Sequence, residues 1–85
     1  MKFTARVRVM PRSGLLDPQG QAIEHALASL GFERVGSVRV GRELEIALEA
    51  DSEAQVRERL GAMCEKLLAN PVTEDYAVDT VEAQR

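Results

Sequence analysis

Residues 38–48, Val38-Arg39-Val40-Gly41-Arg42-Glu43-Leu44-Glu45-Ile46-Ala47-Leu48, decide the fold, because every large apolar side chain in them carries an even number. Alternation with period two is the pattern of a half-buried strand, and only Arg42 interrupts it. Two arrangements fit. A two-residue turn at Gly41-Arg42 would set Val40 opposite Glu43 and Val38 opposite Glu45, mixing apolar and charged groups on one face. A three-residue connection, Gly41 to Glu43, aligns Val40 with Leu44 and Val38 with Ile46 and is the better hairpin. A single long or bulged strand also keeps the phase.

Working outward, Phe3, Ala5, Val7 and Val9 alternate with polar residues and predict a strand over 3–9, closed by Pro11. Asp17 is a candidate helix N-cap, and Pro18 sits at the first helical position, where its missing N–H costs least. Ile23, Ala26, Leu27 and Leu30 recur at helical spacing, and Gly31 can end that helix, with Phe32 folding back on it. Ser52 and Gln55 form a candidate capping box for a second helix, with Val56, Leu60, Met63, Cys64 and Leu67 as its apolar stripe and Gly61 as an interruption. Asn70-Pro71 should stop it. In the last strand Tyr76 and Val78 turn inward, Asp75, Ala77 and Asp79 turn outward, and Val81 either continues the strand or begins a frayed tail. The sum is one α+β domain over 1–85 with order β-α-β-β-α-β, two helices packed on a small sheet, and the middle strands open to merging into one bent strand. Exposed sheet edges favour self-association.

Fourteen acidic and 11 basic side chains leave a net charge of −3, which provides no general attraction to nucleic acid or to an anionic membrane surface. Arg6 and Arg8 alternate with Val7 and Val9, as expected for the solvated face of a strand. The one cysteine, Cys64, excludes an internal disulfide and suits burial beside Met63. Apolar runs fall short of a membrane span and the start lacks a signal-like segment, so a cytoplasmic protein is expected. His25 has no second histidine at ligand spacing, and no metal site is expected. Cys64, Ser13, Ser29 and Ser37 lack a local base and orienting acid, so no catalytic residue is assigned. Arg12, the Ser13 hydroxyl and the Gly14 amide could meet an anion before the first helix, which is the basis of an alternative reading as a small metabolite-binding domain. Adjacent Glu74 and Asp75 point to opposite sides of a strand and do not make a two-acid device; Glu74 could instead pair with an arginine of another chain.

Three stretches carry a family resemblance: VRVMPRSGLLDPQGQAIEHALASLGF (7–32), VGSVRVGRELEIAL (35–48) and MCEKLLANPVTEDYAV (63–78). Their order resembles the PurS family, the small accessory subunit of phosphoribosylformylglycinamidine synthase in purine biosynthesis. The resemblance implies a noncatalytic subunit binding no cofactor itself, in an enzyme that uses ATP, Mg and glutamine to convert formylglycinamide ribonucleotide to formylglycinamidine ribonucleotide. Implied partners are a large synthetase subunit, a glutaminase subunit and further copies of the chain, as a dimer or dimer-based oligomer, with neither nucleic acid nor membrane. The family pattern often has lysine at the position of Arg12 and lysine near Arg42, and a branched apolar residue at the position of Thr73. By this resemblance Arg12, Asp17, Gln19 and Gly20 are expected to form one structural or interface junction, and Asn70, Pro71, Glu74 and Tyr76 another.

Overall fold

The computed structural model describes residues 1–84, in the order β1 (Lys2–Pro11), α1 (Pro18–Ser29), β2 (Arg42–Glu49), α2 (Glu53–Met63), a π-helical turn (Cys64–Leu68) and β3 (Glu74–Ala83). The α+β class and the alternation of strands with two helices stand as the sequence predicts. The three strands lie in the order β2-β1-β3, and both pairings are antiparallel.

Central β1 follows its alternation without fault: Phe3, Ala5, Val7 and Val9 are buried, while Arg6 and Arg8 face water. Leu48, Ile46 and Leu44 stand opposite Phe3, Ala5 and Val7. On the other edge Val7 faces Val78, but Arg6 faces Thr80, so Asp79 is an extra residue in β3. This bulge shifts the phase of β3 and puts both Val78 and Val81 against the core, although their numbers differ in parity. Val81 therefore continues the strand. Along the polar face Arg6 meets Glu43 at 3.1 Å and Glu45 at 3.6 Å, and Arg8 meets Asp79 at 3.4 Å.

Helix α2 begins as expected, with the Ser52 hydroxyl accepting the Gln55 N–H at 3.2 Å; the Gln55 side chain closes the box one residue early, on the Asp51 N–H at 2.7 Å. Val56, Leu60 and Cys64 are fully buried over the sheet. The expected stripe then fails at Leu67, which is 81% exposed. The cause is the π turn: the Ala69 N–H reaches back to the Cys64 carbonyl at 3.1 Å, one residue further than in an α-helix, and the extra residue rotates Leu68 inward in place of Leu67. Ala69, in extended geometry, ends the helix just before Asn70-Pro71.

The middle of the chain departs most from expectation. Val38 and Val40 form no strand with Leu44 and Ile46, so the intrachain hairpin is absent and the middle strand is β2 alone. Helix α1 is capped by Asp17, whose Oδ1 accepts the Gly20 N–H at 3.0 Å, with Pro18 at its first turn. It ends in a Schellman motif: Gly31, at φ 92°, donates to Ala28 at 3.1 Å and Phe32 donates to Leu27 at 3.0 Å. Among the described residues, however, α1 contributes no side chain to the buried core. Leu30 is 73% and Phe32 59% exposed, so Phe32 does not complete an apolar cluster there. The result is a flat, elongated molecule of 50 × 29 × 14 Å.

Candidate functional site

The polar groups converge at one corner, where the π turn, the 70–73 turn and the ends of β1 and β2 meet. Proline at 71 fixes the chain beyond Asn70. The Asn70 side-chain oxygen accepts the Val72 N–H at 3.0 Å, and the Asn70 carbonyl accepts the N–H groups of Thr73 (3.2 Å) and Glu74 (2.8 Å). Glu74 then folds back: its Oε1 accepts the Asn70 N–H at 2.8 Å.

Glu74 is also held by Arg42, through Nη1 to Oε2 at 2.7 Å and Nη2 to Oε1 at 3.1 Å, the two-pronged geometry that only arginine provides. Arg42 Nη2 also donates to the Leu68 carbonyl at the end of the π turn. The Arg42 hydrogen bonds, followed by the Asn70 N–H, hold the Glu74 carboxyl below the usual carboxylate range. The sequence leaves Glu74 open to an arginine of another chain; here the partner is Arg42 of the same chain, 32 positions away.

Arg12 is the second cation of the corner. Its backbone N–H donates to the Thr73 carbonyl at 2.9 Å, its Nη2 to the Pro71 carbonyl at 2.6 Å, and its Nε lies 3.3 Å from Asp75 Oδ1. Tyr76 donates its hydroxyl to Glu65 at 3.1 Å, and this bond, followed by burial, raises the phenol above its usual range. Between them lies an open cleft of about 430 Å³ lined by Arg12, Glu65, Pro71, Asp75 and Tyr76, with Cys64 at its base. Burial raises the Cys64 thiol, the reverse of what an activated nucleophile needs.

The two junctions are thus divided differently from expectation. Arg12 belongs with Asn70, Pro71, Glu74 and Tyr76, and its guanidinium is turned toward Pro71 and Asp75 rather than toward Ser13, Gly14 and the start of α1. Asp17 and Gly20 remain together as the helix cap, where Asp17 Oδ2 also accepts the Val40 N–H at 2.8 Å; that bond, followed by the one from Gly20, lowers the carboxyl. Gln19 is exposed on the first turn beside them. Sequence reasoning missed Arg42 and Glu65 as members of the corner. The break that Arg42 makes in the apolar alternation of 38–48 was the available signal. Among the described residues no group of three or more His, Cys, Asp and Glu side chains is placed to hold a metal.

Fold and corner together define a small antiparallel α+β module whose polar residues lock one end of the sheet to the end of a helix. A family model described as PurS, phosphoribosylformylglycinamidine (FGAM) synthase, matches residues 4–82. The Mycobacterium leprae phosphoribosylformylglycinamidine synthase subunit PurS is 46% identical over 80 residues, covering 94% of this chain and 96% of that protein. Thermus thermophilus PurS superposes with a TM-score of 0.86 at 39% identity over 100% of both chains. A chain of the structure of PurLQS from Thermotoga maritima gives 0.84 at 33% identity, over 92% of this chain and 95% of that one. The chain belongs to the PurS family.

Proposed function

We infer that this chain is the noncatalytic small subunit of a glutamine-dependent phosphoribosylformylglycinamidine synthase, joining a glutaminase subunit to an ATP-dependent synthetase subunit. The observation that carries this reading is the nearly full-length likeness to a chain of the Thermotoga maritima PurLQS structure. A subunit in that position supports transfer of ammonia from the glutaminase to the ATP-activated substrate by holding the two larger subunits in register, since protected geometry lowers the barrier to the second reaction. Asn70, Pro71, Glu74 and Tyr76, with Arg12, present the rigid corner for docking, and Asp17, Gln19 and Gly20 present the start of α1. Self-association belongs to the same reading, because Leu16, Ile23, Leu30 and Phe32 leave α1 and its two flanks apolar and exposed. The cytoplasm is the proposed compartment.

Reconstitution tests this. Purified synthetase and glutaminase are assayed for glutamine-dependent product with and without this chain, and with ammonia as a bypass nitrogen source. The expected result is loss of glutamine-dependent, but not ammonia-dependent, turnover when the chain is omitted. Unchanged glutamine-dependent turnover without it would overturn the reading.

A further inference from the structure

Only one face of the sheet is covered. Helix α2 and the π turn lie over Phe3, Ala5, Val7 and Val9 and their cross-strand neighbours. The opposite face carries the even positions of β1, Lys2 to Arg8. Beside Lys2, Arg6 and Arg8 strand β2 sets Glu49, Glu45 and Glu43. On the other side β3 sets Glu82 next to Thr4 and Asp75 next to Met10, and the bulge turns Asp79 onto Arg8. Nothing among the described residues buries these groups: Arg6 and Arg8 stay about half-exposed, and the four glutamates are exposed.

Charge on this bare face is not balanced. Lys2, Arg6 and Arg8 stand against Glu43, Glu45, Glu49, Asp75, Asp79 and Glu82. The whole chain has 11 basic and 14 acidic side chains, so the rest of it holds eight of each. The entire net charge of −3 therefore sits on one flat surface. Within it Arg6 meets Glu43 and Glu45, Arg8 meets Asp79, and at the corner end Arg12 meets Asp75. Glu49 and Glu82, toward the opposite end, meet no cation at ion-pair distance among the described residues.

A second copy of the same face would be repelled, and so would a nucleic acid or an anionic lipid surface. A basic protein surface is complementary. We propose that the bare face docks onto a positively charged patch of the same partner subunit that the corner engages. This rests on the accessory-subunit reading above and names a second surface for it. The two surfaces are continuous, because Asp75 belongs both to the bare face, beside Met10, and to the corner cleft. Three strands about 4.8 Å apart, with eight residues rising about 3.4 Å each, offer roughly 400 Å². That is about half of what one partner contributes to an interface of ordinary size. The face therefore steers and orients a complex that the corner also holds, and its contribution falls as salt screens it.

The test is the full chain carrying Glu49→Lys and Glu82→Lys, titrated at low salt into purified synthetase and glutaminase with glutamine as nitrogen source. Its half-saturating concentration rises at least about tenfold, a change that needs only ~1.4 kcal/mol, while turnover at saturation is kept. The shift shrinks as salt is added. Asp51→Lys with Glu58→Lys makes the same change of charge on the helix side, at exposed positions, and leaves half-saturation where it was. Glu49→Gln with Glu82→Gln shifts it in the same direction by a smaller factor, and decides the matter if the lysine variant fails to fold. Half-saturation unmoved by either pair at the sheet face overturns the proposal and leaves the accessory-subunit reading intact. An equal shift from the helix-side pair also overturns it, since net charge alone would then be responsible. A changed mass of the chain by itself, with half-saturation unmoved, assigns the face to another copy and overturns it too. Turnover that never depends on the chain removes both the proposal and the reading beneath it.

Discussion

Arg42 grips Glu74 with both terminal nitrogens, at 2.7 and 3.1 Å, and so ties the first residue of β2 to the first residue of β3, although β1 lies between these strands. A third contact, to the Leu68 carbonyl, fixes the end of the π turn to the same group.

Replacing Arg42 with lysine keeps the charge and loses the fork. Arg42→Lys and Glu74→Gln should each lower unfolding stability by roughly 1 kcal/mol, since a half-exposed pair is weakened by solvent. Combined, they should cost less than the sum of the two. Urea denaturation of the two single variants and the double variant measures this; full additivity would show that the two side chains act separately.

The pH dependence has two limbs. Hydrogen bonds from Val40 and Gly20 lower the Asp17 carboxyl, and those from Arg42 and Asn70 lower the Glu74 carboxyl. A lowered folded-state pKa gives stability that is present above the unfolded value and lost as pH falls through the folded one, so stability should decline below about pH 4. Tyr76 is raised, chiefly by its bond to Glu65; its contribution is complete below its unfolded pKa and is lost as pH climbs past about 10. Thermal melts across pH should show both limbs. Glu74→Gln should flatten the acid limb, and Tyr76→Phe the alkaline one.

Gly61 lies inside α2, and a Cβ built there meets only the Tyr76 hydroxyl, at 3.9 Å, an ordinary contact. Gly61→Ala should therefore stabilise the chain by about 0.5–1 kcal/mol. A lower urea midpoint would count against this packing.

Leu60 and Leu67 separate the α-helical stripe from the π turn. Leu60→Ala removes a fully buried side chain and should cost about 2–4 kcal/mol. Leu67→Ala should stay within about 0.5 kcal/mol when measured at protein concentrations low enough to separate copies. Equal losses at the two sites would mean that the helix continues without the wider turn.

Asp17→Asn removes the charge on which α1 and the 35–41 segment both depend. Amide exchange at Gly20 and Val40 should accelerate while Val7 and Val9 keep their protection, because the cap lies outside the core. Equal acceleration at all four amides would make Asp17 a support of the whole fold.

What could be read in the sequence was what local chemistry specifies. The alternation of Phe3 to Val9 gave β1 and its buried face, Asp17-Pro18 and Ser52 marked both helix starts, and Asn70-Pro71 marked the helix end. Two local insertions left no such mark: the residue added by the π turn, which exchanges Leu67 for Leu68, and the extra Asp79, which resets the phase of β3. Neither changes composition or spacing until the backbone hydrogen bonds are known. Arg42 with Glu74, and Arg12 with Pro71 and Asp75, are pairings between residues 32 to 63 positions apart, so periodicity could not reveal them. The even-numbered run through Val38 to Leu48 becomes a strand only over Arg42–Glu49, because period alone does not say where pairing begins or whether a strand turns back on itself.

The thickness of 14 Å has a further consequence. One helix on one sheet leaves a single stratum of side chains between them, and Val7, Val9, Val56, Leu60 and Cys64 fill it. Among the described residues a lone copy thus has no interior through which a small molecule could be conducted. Any sheltered path to which this protein contributes must run along its outside, with a neighbouring subunit supplying the opposite bank.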